Sequence, residues 1–291
     1  MLTQFEAIGC NRQKLYAVSN NVKNPSAIVL LVHGMQEHTE RYAWFADKLA
    51  DENILLVATD LRGHGRNMLC GKPGLDNGDI YLNIVEDQRT IVDFLNSEFP
   101  NVPVILFGHS YGSFVSQRFV RDGHPGVSKI VLCGSSYMNT FIVKAARIIA
   151  KISKFCNGRE TDAKLIEKLS IRGYGKSFEN GNWLTRDEDI FKKYCEDELC
   201  GCVFPVAFYE SMFTNLPQNY KKLKFDAAVL LISGDQDPVC GFSNDIKKLE
   251  QVYRKQGIDV ALKLYEGARH ELLNETNRDE VFADIIKFIR S

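Results

Sequence analysis

Short apolar runs alternate with amphipathic stretches along much of this chain. Residues 27–32 (Ala-Ile-Val-Leu-Leu-Val), 54–58, 104–107 and 129–133 are of strand length and mostly aliphatic. They read as strands buried on both faces. Residues 3–19 alternate loosely around Asn11-Arg12, the pattern of an opening β-hairpin. Between the runs the period changes to helical. Tyr42, Phe45, Ala46 and Leu49 share one face, with Thr39 as the expected N-cap. A second helix is expected over about 84–99, and Phe114, Val115, Arg118 and Phe119 mark a third. From about 135 to 224 no core strand is evident. The alternation then resumes with a strand at 227–233, a helix near 244–256, a strand at 259–265 and a closing helix at 279–289. The pattern predicts an α/β fold, a mostly parallel twisted sheet flanked by helices. Residues 1–134 and 225–291 form its core, and 135–224 form a helical insertion. That insertion would lie over the carboxyl ends of the strands, as a cap or lid.

Gly108-His109-Ser110-Tyr111-Gly112 matches Gly-x-Ser-x-Gly and lies between an expected strand and an expected helix. Strand, sharp turn and helix make the context of a nucleophile elbow. The turn strains the serine backbone and requires small flanking residues. A serine hydroxyl needs a base, and the base needs an acid to orient it. In this fold the order is serine, acid, histidine. Only His124 and His270 follow Ser110. His124 closes a helix before Pro125-Gly126, where the helix dipole explains it, which leaves His270, in the loop after the last strand. For the acid, Asp237 on the Asp237-Pro238 turn is preferred. Asp235 suits a turn or N-cap role, and Glu271 is a weaker alternative because it adjoins His270. Two backbone N–H groups would stabilise the oxyanion: Tyr111, after the nucleophile, and Met35, in the loop after the 27–32 strand.

Composition narrows the function classes. The 291 residues are 45% hydrophobic and 25% charged, with a net charge of −1 from 36 basic and 37 acidic residues. No global field recruits nucleic acid. The eight cysteines are scattered, and the first residues show no secretory signal pattern. Reduced cysteines in a cytoplasmic enzyme are the simplest expectation.

Five segments together resemble a known family. They are His33-Gly34-Met35-Gln36-Glu37-His38-Thr39-Glu40-Arg41-Tyr42, Asp60-Leu61-Arg62-Gly63-His64-Gly65, the elbow, Gly234-Asp235-Gln236-Asp237-Pro238-Val239, and Glu266-Gly267-Ala268-Arg269-His270-Glu271. They resemble the monoacylglycerol lipase and lysophospholipase (serine aminopeptidase-like) branch of the α/β-hydrolases. The resemblance implies Ser110 as nucleophile, Asp237 as acid, His270 as base, and Met35 and Tyr111 as N–H donors. It also implies a small-molecule acyl ester substrate and no cofactor. The family often places Gly-His-Gly-Ser after the loop arginine, whereas Arg66-Asn67 follows Gly65 here.

The first helix of the insertion, about 139–155, carries Phe141, Ala145, Ile148, Ile149 and Ile152 on one face. Lys144, Arg147, Lys151 and Lys154 occupy another. Such a helix suits transient contact with an anionic membrane surface or micelle. The simpler arrangement packs its apolar face on the domain. Gly173-Tyr174-Gly175-Lys176-Ser177 resembles a phosphate loop but has Ser170 where the first glycine belongs. Cys195, Cys200 and Cys202 lack zinc spacing and have no histidine near them in sequence. They are expected as lid core or pocket lining. The leading expectation is therefore a serine hydrolase of acyl esters. An aminopeptidase or thioesterase on the same scaffold, or a non-catalytic ligand-binding receptor, are the competing readings.

Overall fold

The computed structural model describes residues 1–169 and 171–291, with the side chains of 169, 171 and 172 outside the description. Ser170, which interrupts the phosphate-loop-like pattern, lies outside the described residues. Eight strands form one sheet: β1 (Thr3–Ile8), β2 (Lys14–Ser19), β3 (Ala27–Val32), β4 (Ile54–Thr59), β5 (Val104–His109), β6 (Lys129–Cys133), β7 (Val229–Gly234) and β8 (Val260–Tyr265). Their order is β1-β2-β4-β3-β5-β6-β7-β8. The opening hairpin pairs antiparallel, and β2 joins β4 antiparallel; every later pairing is parallel.

Each central strand sends alternate side chains into two separate cores. Ile28, Leu30, Val32, Leu106, Ile130 and Leu132 face helices α2 (Ile80–Glu98) and α3 (Tyr111–Asp122). Val29, Leu31, Ile105, Phe107 and Val131 face α1 (Ala43–Asp51) and the closing helix described below. Burial on both faces explains why these strands read as unbroken apolar runs.

Two helix starts differ from expectation. Thr39 does not cap a helix: its hydroxyl and N–H both bind Asp60 Oδ1, at 2.8 and 2.9 Å. A buried carboxylate has outcompeted the local cap, and a 3₁₀ turn over Thr39–Tyr42 leads into α1 instead. Helix α2 begins four residues before the expected start, capped by Asp79, whose Oδ1 accepts the Leu82 N–H at 3.2 Å. The Arg66-Asn67 departure closes its loop by side-chain bonding. Asn67 Oδ1 accepts the Tyr16 N–H at 2.9 Å, and Asn67 Nδ2 donates to the Asp60 carbonyl.

Between β6 and β7 the described residues form helices and turns: α4 (Phe141–Asn157), α5 (Lys164–Leu169), α6 (Ile171–Tyr174), α7 (Glu188–Glu196) and α8 (Val206–Asn215). Helices α9 (Asn244–Lys255) and α10 (Arg278–Arg290) complete the chain, and α10 packs with α1. Helix α4 does not bury the face expected to pack. Val143 and Ala150 are its buried residues, a narrow small-residue stripe set against α8. Phe141, Ile148, Ile152 and Phe155 are exposed, Phe141 by 85% and Phe155 by 91%. Among the described residues no helix is long and apolar enough to cross a membrane.

Candidate active site

The sheet changes direction at β3: the chain runs outward through β4, then returns to place β5 on the other side of β3. At such a switch point the loops after two adjacent strands diverge and leave a crevice at the strands' carboxyl ends. Gly34 and Met35 follow β3 and Ser110 follows β5, so both borders of the crevice carry residues singled out in the sequence.

Ser110 has φ 51° and ψ −118°, a conformation that costs free energy for any residue with a side chain. Its neighbours hold it there. The Ser110 N–H donates to the Cys133 carbonyl at 2.9 Å, and its own carbonyl accepts the Ser113 N–H at 2.9 Å. Glycine at 108 is required by space, because a β-carbon would lie 2.4 Å from Ser116 Oγ.

His270 Nε2 lies 2.8 Å from Ser110 Oγ, and its Nδ1 lies 2.8 Å from Asp237 Oδ2. Asp237 is fully buried. Its Oδ1 accepts the Val239 N–H at 2.8 Å and its Oδ2 accepts the Cys240 thiol at 2.9 Å. Cys240 was given no site role from sequence, where its only signal is the Asp-x-x-Cys spacing. The competing acids are engaged elsewhere. Asp235 Oδ1 accepts the Gly267 N–H at 2.9 Å, and Glu271 takes a two-pronged contact from Arg41 at 2.9 and 2.7 Å. His124 is part of a helix end, where its Nδ1 accepts the Gly126 N–H at 3.2 Å.

The charges sort these groups into distinct protonation states. Burial alone would push the His270 imidazole down, but the Asp237 charge and hydrogen bond outweigh it and leave the pKa raised above 6.5. Burial would raise Asp237, yet the His270 charge and the hydrogen bonds from His270, Cys240 and Val239 hold it below the usual carboxylate range. His109, whose ring centroid is 4.9 Å from that of His270, is pushed down to about 4 by burial and by the His270 charge. It stays neutral beside a ring that can take up a proton.

The loop after β3 is held by Glu37. Its Oε1 accepts the Gly34 N–H at 2.6 Å and the Tyr42 hydroxyl at 2.9 Å, and its Oε2 accepts from Arg41 at 2.6 Å. Burial would raise Glu37, but Arg41, His109 and His33 lower it to about 2, so it remains charged. Gln36 takes φ 61° in the same loop, and its Nε2 donates to Glu167 Oε1 at 3.0 Å. The motif residues Glu37, Arg41 and Tyr42 thus set the shape of the loop that carries Met35.

Ser110, His270, Met35 and Tyr111 all line one cavity of about 620 Å³, within the range of ordinary ligand pockets. Its wall is largely apolar and includes Phe114, Met138, Val143, Leu165, Met212 and Phe213. Trp183, from the segment between β6 and β7, places its ring 5.0 Å from that of His270. Phe141, Ile142 and Ile149 of α4 line the cavity while remaining exposed, so its apolar surface continues to the outside of the molecule.

The chain is similar to known hydrolases along most of its length. The model of the family described as "Serine aminopeptidase, S33" matches residues 23–277. A monoacylglycerol lipase of Mycolicibacterium smegmatis is 26% identical over 287 residues, covering 95% of this chain and 92% of its own. The human monoglyceride lipase is 27% identical over 259 residues, covering 86% of this chain and 77% of its own. A thermostable carboxyl esterase from Bacillus coagulans, solved with glycerol, superposes with a TM-score of 0.87 at 26% identity, covering 99% of this chain and 98% of the other.

Proposed function

Because this chain belongs to the serine aminopeptidase S33 family of α/β-hydrolases, we propose that it hydrolyses carboxylic esters of single acyl chains, of the monoacylglycerol or lysophospholipid kind. The observation that carries the reading is the Ser110–His270–Asp237 relay, with both contacts at 2.8 Å, opening into a mainly apolar cavity. An apolar wall rewards an acyl chain, since each buried methylene is worth up to about 0.8 kcal/mol. Relatives described as monoacylglycerol or monoglyceride lipases point to the same bond.

In this mechanism Ser110 Oγ attacks the ester carbonyl while His270 Nε2 takes its proton, and Asp237 stabilises the resulting imidazolium. The tetrahedral oxyanion is held by the N–H groups of Tyr111 and Met35. Glu37 occupies the Gly34 N–H, which leaves the next N–H along the loop, that of Met35, for this work. His270 then gives its proton to the leaving alcohol, and the alcohol departs. Water repeats the sequence on the acyl-enzyme and restores Ser110.

Residues 135–224 act as the cap, contributing the apolar walls and Trp183, on a core of residues 1–134 and 225–291. The exposed apolar residues of α4, beside Lys144, Arg147 and Lys151, supply a transient contact with an anionic membrane or micelle. The eight cysteines are unpaired, which supports a reducing, cytoplasmic setting.

Hydrolysis of p-nitrophenyl esters from two to sixteen carbons, by wild type and Ser110→Ala, tests the reading. Wild-type kcat/KM is expected to climb with chain length, by up to about fourfold per methylene. A parallel assay on the matching amides decides against an aminopeptidase. Wild type no faster than Ser110→Ala on every ester would overturn the proposal.

A further inference from the structure

A second cluster of reactive side chains lies apart from the Ser110 relay and joins two distant parts of the chain. His38, from the loop after β3, is buried, and its Nε2 lies 2.9 Å from Asp197 Oδ2. Cys200 stands beside them: the His38 nitrogen, an Asp197 oxygen and the Cys200 sulfur all fall within 4.8 Å of one another. Local geometry explains the arrangement. The Cys200 N–H donates to the Asp197 carbonyl at 3.0 Å, closing a tight turn that brings residues i and i+3 together. Metal-binding knuckles use the same device to present two ligands from one short segment. Asp197 is further oriented by the Leu199 N–H, which donates to its Oδ1 at 2.9 Å. The turn is also fixed to the His38 loop, because the Gly201 N–H donates to the Gln36 carbonyl at 3.0 Å.

We propose that His38, Asp197 and Cys200 form a binding site for a borderline divalent transition metal, Zn²⁺ being the best match. One imidazole nitrogen, one carboxylate oxygen and one thiolate are the mixed donors that zinc prefers, whereas calcium and magnesium take oxygen alone. With zinc bonds of about 2.0–2.3 Å, tetrahedral ligand atoms stand roughly 3.3–3.6 Å apart. The His38–Asp197 pair is already closer than that, and rotation of the partly exposed Cys200 side chain supplies the rest. Asp197 and Cys200 are both partly exposed, which gives the metal a path in and leaves the fourth position to water. Glu37, Asp197 and Glu271 act on Cys200 as negative charges, and Arg41, itself paired with both glutamates, acts as a positive one. Cys200 binds as thiolate, releasing its proton to solvent. The bound metal ties the loop that carries Met35 to the segment between β6 and β7, using none of the residues that line the main cavity.

The test is a titration of the chelator-treated, dialysed full-length protein with Co²⁺, followed by calorimetry with Zn²⁺. Wild type is expected to bind one equivalent and to show a near-ultraviolet thiolate-to-cobalt charge-transfer band with visible bands of tetrahedral geometry. Cys200→Ser is expected to lose the charge-transfer band, and Cys200→Ser or Asp197→Asn to weaken Zn²⁺ binding by about a hundredfold, since loss of an outer-sphere partner alone costs about 10–100-fold. Neither residue is packed in a core, so the fold survives both changes, and circular dichroism verifies that it does. Wild type without saturable one-to-one binding would show that His38 and Asp197 form a hydrogen-bonded contact only. Undiminished binding with an intact charge-transfer band in Cys200→Ser would place the metal elsewhere. Either result overturns the site.

Discussion

Gly112 lies so close to the main chain of Val32 that a β-carbon on it would stand 2.0 Å from the Val32 carbonyl oxygen. Helix α3 can therefore begin immediately above β3, and Ser110 is held between the two loops that follow β3 and β5. The contact is with backbone, which cannot rotate away. Gly112→Ala is expected to destabilise the fold by about 1–3 kcal/mol or more and to lower activity through displacement of the elbow. Urea unfolding midpoints measure it, and a wild-type midpoint for the variant would contradict the argument.

Asp237 and Asp235 separate the candidate acids by experiment. Asp237→Asn is expected to lower kcat by about 10⁴-fold, as removal of a triad carboxylate does. Asp235→Asn keeps an oxygen that can accept the Gly267 N–H, losing only the charge, and should leave kcat within about an order of magnitude of wild type, since Asp235 orients no base. Steady-state kinetics of the two variants side by side decide it. Equal losses would remove Asp237 from its role.

The placement of the candidate site residues is legible in the sequence because each part is local. The elbow, the Asp237-Pro238 turn and His270 each sit at the end of a strand that its own apolar run announces. What escaped depends on partners far away in the chain. Thr39 has the composition of a cap, but nothing in its neighbourhood reports that Asp60 will claim both its hydroxyl and its N–H. Cys200 lacked a nearby histidine in sequence, yet the fold brings His38 to it from the other end of the chain. Helix α4 shows its amphipathic period plainly. Periodicity does not say that the small stripe of Val143 and Ala150 would be the packed face, leaving the large residues to the cavity mouth and solvent.

The raised pKa of His270 fixes the sign of the pH dependence. The base works only when neutral, so kcat/KM should fall as pH drops through a value above 6.5. Asp237 is what raises it. In Asp237→Asn the burial effect is left unopposed by that charge, and the acid limb should move to lower pH even as the rate collapses. A pH–rate profile of both proteins measures the shift. An acid limb that stays in place would mean that a group other than His270 controls it.

The exposed residues of α4 give a test that leaves the cavity untouched. Ile152 and Phe155 are exposed and do not line the cavity, and Lys154 is already paired with Glu210 at 3.0 Å. Ile152→Ser/Phe155→Ser should weaken partition onto anionic vesicles by at least about tenfold, given roughly 1.5–3 kcal/mol for each fully buried side chain. Turnover of a soluble short-chain ester should be unchanged. Added salt should weaken wild-type binding by screening Lys144, Arg147 and Lys151. Equal vesicle binding by variant and wild type, in flotation, would dismiss the membrane contact.

Glu37 links the shape of the Met35 loop to acid stability. Its folded pKa of about 2 lies below the ordinary value of 4.5, so the unfolded chain takes up a proton first as pH falls. The resulting stabilisation is fully present above pH 4.5 and is lost progressively as pH drops toward 2. Glu37→Gln should be less stable at neutral pH, because the neutral amide gives up the charge contact with Arg41, although Arg41 keeps its two-pronged contact with Glu271. The same variant should also show a shallower decline of stability between pH 4.5 and 2, since one of the titrating groups has been removed. Unfolding midpoints in urea across that range measure both effects. Parallel pH curves for variant and wild type would mean that folding does not lower the Glu37 pKa, and the charge contacts that anchor the Met35 loop would then be worth little.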